Sequence, residues 1–540
     1  MALTPELRRG IDSIRDYLFG GGYPDPLGNA EQLSYLFFFY LLEGIDADNE
    51  LKAKATKQSY ASVFAGDWTL KNPLNAPDKN QTTVPAIRLR WSTWARGMTG
   101  EALVRWVRDE VFPFYAVVAE RSAMNFMDGA RLGIDEPTVL TQIVDLIDGL
   151  HLDQADGDTK GDLFEHVLKQ IKQAGELGQF RTPRHIIRAI VRMVNPKLGE
   201  TVYDPAAGTA GFLVAAYNHI RLANSSAGAT ETVELDGKQV QRGWGDKLSA
   251  KMAGLLANNT FYGNDVDPKM VRLATMNLTL RGLPSVHILK RNVLTTTLER
   301  DDMAKLNLPL DGYDVVLANP PFSGKLDKDR IVDDVKIGTT TATEILFLRY
   351  MLNALKKGGR AGVVVPEGVL FGSTGAHKEL RRQLIENNTV HAVLSLPGGV
   401  FQPYSGVKTS VLFFAKGGRT DNVMFLHADA DGFALDAQHE TVVDADDLPM
   451  LEADYIERAS KAKQWAKRDT DAEWTEKWWF ASAEHIRSND LNLSAGRYRP
   501  LTKSQVEHRN PRELLDELKA IETEILSEID ALTSVLAERH

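Results

Sequence analysis

The short apolar run at residues 315–318 ends abruptly at an amide, two prolines and an aromatic residue, which are Asn319, Pro320, Pro321 and Phe322. Such a run predicts a buried strand, and two consecutive prolines exclude both a continuing helix and an inner strand. We therefore expect Asn319 at a rigid strand tip. There Asn319 Oδ1 and the Pro320 carbonyl can each accept one hydrogen of an adenine amine, which localises the nitrogen lone pair, and Phe322 can stack on a flipped base. Proximity to an activated methyl group would then replace a strong base.

A second segment with chemical potential is Asp204-Pro205-Ala206-Ala207-Gly208-Thr209-Ala210-Gly211-Phe212, which follows a short apolar strand and opens a helix. Small residues let the backbone approach a ligand closely, and amides at a helix start can donate to a carboxylate. No Gly-Lys-Ser or Gly-Lys-Thr follows, and the glycine spacing differs from the dinucleotide fingerprint. The segment predicts a ligand-binding turn that is not a phosphate loop, and the alternative is a tight turn with a structural role only.

The third segment is Gly263-Asn264-Asp265, at the end of the next predicted strand. An acidic side chain at this position can accept from both hydroxyls of a ribose. Taken alone, Asp265 could equally be a solvated loop residue or a helix cap, and Asp267-Pro268 predicts a helix start. Its position one strand after the glycine-containing turn favours the ribose role.

The fourth segment is Gly178-Gln179-Phe180-Arg181-Thr182-Pro183-Arg184, ahead of the first helix and strand of this region. Thr182 and Pro183 predict a helix start with the threonine as cap and the proline in the first turn. Gln179 and Phe180 add polar and aromatic groups, which we expect beside the same ligand site.

Composition limits the class of protein. The chain has 540 residues, 43% of them hydrophobic and 25% charged, which predicts two or three globular domains. No apolar run approaches membrane-spanning length, and the first ten residues carry no signal core. The absence of cysteine excludes disulfides and thiolate metal sites and favours a cytoplasmic protein. The formal net charge of −10 indicates a poor stand-alone nucleic-acid binder, so if the chain acts on DNA a partner would supply much of the binding.

Three regions follow from the hydrophobic pattern. Residues 1–155 show helical spacing, as at Leu103, Trp106, Val107 and Val111, and predict a helical domain for packing or oligomerisation. Residues 156–500 alternate short apolar strands with helices, which predicts an α/β, mostly parallel, doubly wound sheet with ligands beyond the carboxyl ends of its strands. The predicted strands are 201–203, 260–262, 286–289, 315–317, 361–365, 390–394 and 410–414, with a helix at 345–355.

The end of the chain is predicted to be polar and helical. After Leu451 the residues Trp465, Trp474, Trp478 and Trp479 are expected to be packing anchors. Residues 501–540 are predicted to form a helical tail that starts at Pro511. Its apolar stripe, spaced by three or four residues as in a coiled coil, predicts either a helix docked on its own domain or a helix offered to a partner subunit; the stripe comprises Leu514, Leu518, Ile521, Ile525, Ile529, Leu532 and Leu536.

Together these segments resemble the amino-methyltransferases of DNA, specifically the modification subunit of type I restriction-modification systems. The resemblance covers roughly residues 155–500. Beyond the four segments above it extends to Asp158-Thr159-Lys160-Gly161-Asp162-Leu163-Phe164-Glu165, Leu273-Ala274-Thr275-Met276-Asn277-Leu278 and the stretches 358–371, 394–401 and 406–410.

The resemblance implies a Rossmann-like methyltransferase domain that uses S-adenosylmethionine to form N6-methyladenine in DNA. It further implies a specificity subunit that reads the DNA sequence, flanked by two modification subunits, and a restriction subunit that can join them. Carried over by motif, the cofactor contacts are residues 179–184, the turn 204–212 and Asp265, and the catalytic tip is residues 319–322. Where the family usually has an acid in the next strand-end motif, this chain has Arg291-Asn292-Val293-Leu294, and Asn292 could accept from the adenine amine of the cofactor through its carbonyl.

Two alternatives remain open at this point. The target amine could belong to a protein glutamine or to RNA, because an Asn-Pro-Pro-aromatic tip can hold any planar amine. The chain could also be a non-catalytic assembly subunit that has kept the fold, which its acidic charge and terminal helix would suit.

Overall fold

The structure is a computed structural model. It describes residues 4–57, 59–78, 80–121, 127, 129–152, 157–169, 182–235, 237–283, 287–402, 405–436, 441–460 and 474–500, and short pieces of 518–529. The chain divides into two compact units, Met1–Tyr498 and Arg499–His540. Within the described ranges, no helix is both long and apolar enough to cross a membrane.

The N-terminal part of the first unit is a group of helices around an aromatic core. They are α1 (Pro5–Gly20), α2 (Pro26–Thr56), α3 (Trp91–Trp94), α4 (Gly100–Trp106), α5 (Phe112–Arg121), α6 (Pro137–Asp148) and α7 (Gly157–Lys169), with a π-helical turn at Val107–Val111. Phe37, Phe38 and Phe39 of α2 are fully buried in this core, together with the predicted stripe on α4 and the π-helical turn. The predicted boundary at residue 155 stays a prediction.

All seven predicted strands are present, and the described residues form eight further strands. They are β1 (Asp67–Thr69), β2 (Thr83–Pro85), β3 (Val202–Asp204), β4 (Thr230–Leu235), β5 (Lys238–Gly243), β6 (Phe261–Asp265), β7 (His287–Lys290), β8 (Tyr313–Ala318), β9 (Leu355–Pro366), β10 (Thr389–Ser395), β11 (Thr409–Ala415), β12 (Asn422–His427), β13 (Asp431–Phe433), β14 (Thr441–Asp446) and β15 (Trp478–Ser482). Nine of them form one sheet in the order β15-β12-β10-β11-β9-β8-β3-β6-β7. β11 and β15 run opposite to the other strands, so the mostly parallel sheet is confirmed.

Helices cover both faces of this sheet. They are α8 (Arg184–Val194), α9 (Gly211–Ala223), α10 (Ala250–Asn258), α11 (Pro268–Thr279), α12 (Arg300–Lys305), α13 (Thr343–Ala354), α14 (Glu367–Phe371), α15 (Gly375–Asn387), α16 (Leu448–Ser460) and α17 (Ala483–Ser488). α8, α9 and α16 contribute to the core on one face, and α13, α15 and α17 to the core on the other. α11 contributes Leu273 to the N-terminal core and Ala274 to a sheet core, so it joins the two regions.

Several elements were not predicted. The two-stranded sheets β1–β2, β4–β5 and β13–β14 lie outside the predicted strands. The expectation of a purely polar, helical region after Leu451 is wrong, because β15 forms the antiparallel edge of the main sheet there. Trp478 and Trp479 are buried in that strand, as expected of packing anchors, whereas Trp474 is 40% exposed. Trp465 lies outside the described residues.

The second unit is described only in part. Residues 518–519, 521–523, 525–527 and 529 are helical, in agreement with the predicted tail helix. Four apolar side chains of the predicted stripe are exposed: Leu518, Ile521, Ile525 and Ile529. Pro511, Leu514, Leu532 and Leu536 lie outside the described residues.

Candidate active site

Asn319 lies at the end of β8, in the middle of the main sheet. The preceding residues of β8 are buried apolar side chains, and the strand stops because Pro320 and Pro321 have no backbone N–H for a sheet hydrogen bond. Asn319 itself is half-buried, and its Nδ2 atom donates to Thr182 Oγ1 at 2.8 Å. With Nδ2 bonded to Thr182, the acceptor oxygen Oδ1 is the atom that can face an amine.

This contact corrects the expected role of Thr182. The residue at the N-cap of α8 is Pro183, and no side chain caps this helix. The Thr182 hydroxyl is buried and accepts from Asn319, while α8 starts on the extended backbone that proline favours. By contrast, the predicted helix start at Asp267-Pro268 is confirmed, because the Asp267 side chain accepts from the Lys269 backbone and α11 begins at Pro268.

The predicted glycine-containing turn connects β3 to α9. Asp204 Oδ1 accepts from the Ala206 backbone N–H at 3.0 Å, and the Ala207 N–H donates to the Asn264 carbonyl at 2.9 Å. Gly208 and Ala210 have φ values of +52° and +65°, so the chain reverses through two left-handed residues before α9 begins at Gly211. A Cβ atom at Gly208 would meet no heavy atom within 4 Å, so the turn leaves open space for a ligand.

The sheet register brings this turn beside Asn319. Val316 of β8 pairs in parallel with Tyr203 of β3, so the residues that follow the two strands emerge at the same level. One cleft is lined by both segments. Of the predicted site residues, the described lining of this cleft includes Thr182, Arg184, Asp204, Ala206, Gly208, Thr209, Gly211, Phe212 and Asn319.

Asp265 supports the turn from the neighbouring strand end. Its Oδ2 atom accepts from the Gly208 N–H at 3.0 Å, and its Oδ1 atom accepts from the Asp267 N–H at 2.9 Å. Burial raises the pKa of Asp265, and these backbone hydrogen bonds oppose the rise. Burial, with a smaller contribution from Asp265, raises the pKa of Asp204 to about 8. Asp204, which lines the cleft, and Asp265, which is outside its described lining, thus both have raised pKa values.

Other predicted site residues, Asp265 among them, do not belong to the described lining of the cleft. Asn292 follows β7, and its Oδ1 atom accepts from the Leu294 N–H at 3.1 Å. Ala210 and Pro320 are buried, Pro183 is half-buried and Pro321 is exposed. Gln179, Phe180 and Arg181 lie outside the described residues, so their predicted contacts stay predictions.

Phe322 is also buried here. Only 6% of it is exposed, and its ring lies edge-on to Phe401 with the ring centroids 5.2 Å apart. Stacking on a base requires an accessible ring face, so the predicted stacking role would need Phe322 or its surroundings to rearrange.

Sequence reasoning missed several contacts that shape the site. The Thr209 carbonyl accepts from Asn277 Nδ2 at 2.8 Å, and the described lining of the cleft also includes Asp162, Glu165 and Arg242. Asn277, Asp162 and Glu165 belong to segments that carried the family resemblance, but no local pattern assigned them to the site.

Known DNA methylases are similar to this chain over much of its length. Residues 155–507 match the family model N-6 DNA Methylase. The methylase subunit of the type I restriction enzyme EcoEI of Escherichia coli is 30% identical over 411 residues, which cover 72% of this chain and 75% of that protein. The EcoKI methylase subunit of Escherichia coli K12 is 33% identical over 299 residues, covering 53% of this chain and 50% of its own length.

Solved structures show the same fold. A chain from a structure that describes complex assembly and conformational transition of the type I R-M system has a TM-score of 0.66 at 24% identity. The match covers 100% of both chains. A modification subunit from Vibrio vulnificus YJ016 has a TM-score of 0.65 at 22% identity and covers 94% of this chain and 99% of its own. The family match and the extent of the EcoEI similarity establish that the chain belongs to the N-6 DNA methylase family, as an adenine-N6 DNA methyltransferase of the type I modification-subunit kind.

Proposed function

We propose that Asn319 and the Pro320 carbonyl hold the target adenine amine, while the turn at residues 204–212 and Asp265 hold S-adenosylmethionine. The observation that supports this most directly is the shared cleft: Asn319 and Gly208 line the same opening at the carboxyl ends of two neighbouring parallel strands. Ligands of such sheets bind at this position.

The donor side fits the proposed cofactor in its chemistry. Gly208 borders open space, and the N-terminus of α9 offers backbone amides to a carboxylate such as that of the methionine moiety. Each oxygen of Asp265 accepts one backbone hydrogen bond and keeps acceptor capacity for ribose hydroxyls. When bound, S-adenosylmethionine supplies a methyl group activated by its sulfonium.

The acceptor side prepares the amine. The lone pair of an adenine amine is delocalised into the ring, and two acceptors that each take one amine hydrogen favour a tetrahedral nitrogen whose lone pair is aimed. The Thr182 contact orients Asn319 for this task. A base flipped out of the duplex would enter the cleft, at a cost of roughly a few kcal/mol for unstacking and unpairing.

The proposed assembly contains other chains. A specificity subunit would read the DNA sequence, two modification subunits would flank it, and a restriction subunit would join the complex. The net charge of −10 supports this division of labour, because binding to phosphates depends on lysine and arginine. We expect the isolated chain to bind DNA weakly and without sequence preference.

The test is methyl transfer from labelled S-adenosylmethionine to DNA by the complex with its specificity subunit. Asn319→Ala should lower the single-turnover rate by roughly a hundredfold or more, because it removes the amine acceptor. Cofactor affinity, measured by calorimetry, should stay within about threefold of the wild-type value.

Asn258→Ala is the matched control. Asn258 is a half-buried asparagine on α10 whose amide bonds locally to the Gly254 carbonyl, and its loss should leave the rate unchanged. Equal labelling of DNA by wild type and Asn319→Ala would refute the acceptor assignment. Label that appeared in protein or RNA and not in DNA would refute the substrate.

A further inference from the structure

Helix α7 presents a row of three carboxylates to arginines from four different segments. Asp158, Asp162 and Glu165 are spaced by four and three residues, so they share one face of the helix. The pairs are Arg221 Nη1 to Asp158 Oδ1 at 2.8 Å, Arg242 Nη2 to Asp162 Oδ2 at 2.6 Å, Arg281 Nη2 to Asp162 Oδ1 at 3.8 Å and to Glu165 Oε1 at 3.4 Å, and Arg184 Nη2 to Glu165 Oε2 at 3.2 Å.

Arg281 is the arginine of this row that leads to the cofactor turn. It is 4% exposed, and its Nη1 atom donates to Asn277 Oδ1 at 2.6 Å. Asn277 is fully buried, and its Nδ2 atom donates to the Thr209 carbonyl at 2.8 Å. The orientation of this amide is unambiguous, because a guanidinium can only donate and a carbonyl can only accept. A continuous path therefore runs from α7 through Arg281 and Asn277 to Thr209.

The sequence of α7 makes room for this path. A Cβ atom at Gly161 would lie 2.7 Å from both Cζ and Nη1 of Arg281, closer than real Cβ contacts allow. The glycine inside α7 costs about 0.5–1 kcal/mol of helix stability relative to alanine. Close approach of the Arg281 guanidinium explains why this position is occupied by glycine.

The same row also reaches the acceptor side. Glu165 bonds to Arg184, which is the first residue of α8 and lies two residues after Thr182. Thr182 in turn holds Asn319. Glu165 thus contacts both Arg281, which leads to the turn at residues 204–212, and Arg184, which lies close in sequence to Thr182.

We propose that Asn277 is a positioning residue for the cofactor turn, held in register by Arg281 and, through Asp162 and Glu165, by α7. This inference rests on the proposed binding of S-adenosylmethionine at residues 204–212. The attraction within a buried ion pair offsets little more than the cost of removing its charges from water, so such pairs add little to stability. An array this well paired is therefore better explained by the geometry that it fixes. Asn277 touches no reacting atom, and its effect should be on how tightly the turn binds its ligand.

The test is cofactor affinity of the folded full-length chain, measured by calorimetry with S-adenosylmethionine. Asn277→Asp keeps an acceptor for Arg281 but sets a carboxylate oxygen against the Thr209 carbonyl, and it should weaken binding about tenfold. Arg281→Met should weaken it to a similar extent. KM for DNA should stay within about twofold of the wild-type value in both variants. A general loss of stability would not weaken cofactor binding while leaving KM for DNA unchanged.

Arg221→Met is the matched control, because Arg221 is also largely buried and pairs with the same helix, but among the described residues its side chain contacts Asp158 and the Tyr217 ring and not Asn277. It should lower the melting temperature and leave cofactor affinity within about twofold. Gly161→Ala is a second test of the same role. Alanine favours the helix, so the fold should be kept, but its methyl group would displace Arg281. The affinity for S-adenosylmethionine should therefore fall.

The outcomes separate two failures. Wild-type protein that binds no S-adenosylmethionine would overturn the proposed function and the positioning role with it. Wild-type protein that binds, together with folded Asn277→Asp and Gly161→Ala proteins of unchanged affinity, would overturn the positioning role alone. Equal losses of affinity in Arg221→Met and Arg281→Met would also overturn it, because the row would then be only structural.

Discussion

The orientation of a single amide decides what the catalytic tip can do. Asn319 can present either its oxygen or its nitrogen, and only the oxygen accepts from an amine. In the structure Nδ2 donates to Thr182 at 2.8 Å, and Oδ1 is the amide atom that can accept from an amine. The Thr182 side chain is thus as much a part of the acceptor site as the Asn-Pro-Pro-Phe segment itself.

Replacing the Thr182 hydroxyl should therefore slow methyl transfer. We expect Thr182→Val to lower the single-turnover rate about five- to tenfold, the effect of losing one hydrogen bond, with little change in cofactor affinity. Thr182→Ser keeps the hydroxyl and should retain most of the rate. If the valine and serine variants were equally slow, the hydroxyl would have no part in orienting Asn319.

Asp204 gives the fold a predictable pH dependence. Its pKa is raised to about 8 by burial, from an ordinary value of 3.8. The unfolded chain therefore ionises first, and the stability that the neutral carboxyl contributes is lost as pH rises from about 4 to about 8. Asp204→Asn keeps an acceptor for the Ala206 N–H and cannot ionise.

We expect the melting temperature of Asp204→Asn, relative to that of the wild type, to rise as pH increases across this range. Above about pH 8 the difference between the two melting temperatures should stay constant. The gain should correspond to at most a few kcal/mol by pH 8. Thermal unfolding without added ligand would measure it. A difference that stayed constant from pH 4 to pH 8 would show that Asp204 ionises normally in the folded protein.

At the scale of elements, the sequence was most informative where structure is local. Short buried strands such as β3 and β8 are apolar runs that end at prolines or glycines, so their positions and the residues beyond them followed from the pattern. β4 and β5 carry many polar residues on exposed positions and have no continuous apolar run, so they gave no such signal. β15 was missed because its tryptophans follow a long polar segment.

Contacts between distant residues were not predictable. Thr182 and Asn319 are 137 positions apart, and the threonine followed by proline looked like an ordinary helix cap. The path from Arg281 to Thr209 likewise depends on how α7, α11 and the cofactor turn pack together, which no spacing in one segment encodes. The predicted turn and tip were identifiable, but the residues that hold them were not.

The left-handed backbone of the cofactor turn can be tested at Gly208. Alanine at φ +52° is strained by about 1 kcal/mol, and its Cβ would enter the open space of the cleft without striking protein atoms. We expect Gly208→Ala to cost about 1 kcal/mol of stability and to weaken S-adenosylmethionine binding by a larger factor than this strain alone produces. Calorimetry and thermal unfolding would separate the two effects.

Gly211→Ala offers a comparison within the same turn. Gly211 begins α9 outside the left-handed region, and a Cβ there would lie 3.1 Å from Ile187 Cδ1, the flexible end of a side chain. Its stability should change less than that of Gly208→Ala. The reverse order would show that backbone strain is not what makes Gly208 necessary.

At the scale of the whole molecule, the N-terminal helices and the sheet are joined through buried charge as well as apolar contact. Glu31 of α2 bonds to Arg272 of α11 at 2.5 Å, and both side chains are at most 10% exposed. Phe164 and Val167 lie on the side of α7 that is opposite to its three carboxylates, and they are buried in the N-terminal core. α7 thus packs against the N-terminal core on one side and pairs on the other with arginines that lead to the turn at residues 204–212.

The remaining question at this scale is how an acidic chain is delivered to DNA. Four apolar side chains of the tail helix are exposed at spacings of three and four residues: Leu518, Ile521, Ile525 and Ile529. Such a stripe suits the seam of a helical contact, and the specificity subunit is its proposed partner. Removing residues 511–540 should abolish co-purification with that subunit and leave cofactor affinity unchanged.

A pair of substitutions sharpens this prediction. Ile525→Asp places a charge in the apolar stripe and should lower recovery of the complex by at least tenfold, because burying an unpaired carboxylate is costly. Thr523→Asp adds the same charge outside the stripe, on another exposed position of the helix, and should leave recovery unchanged. Full recovery of the complex with Ile525→Asp and with the deleted tail would show that another surface makes the subunit contact. Sequence-specific DNA binding by the isolated chain would show that it does not need the partner to read DNA.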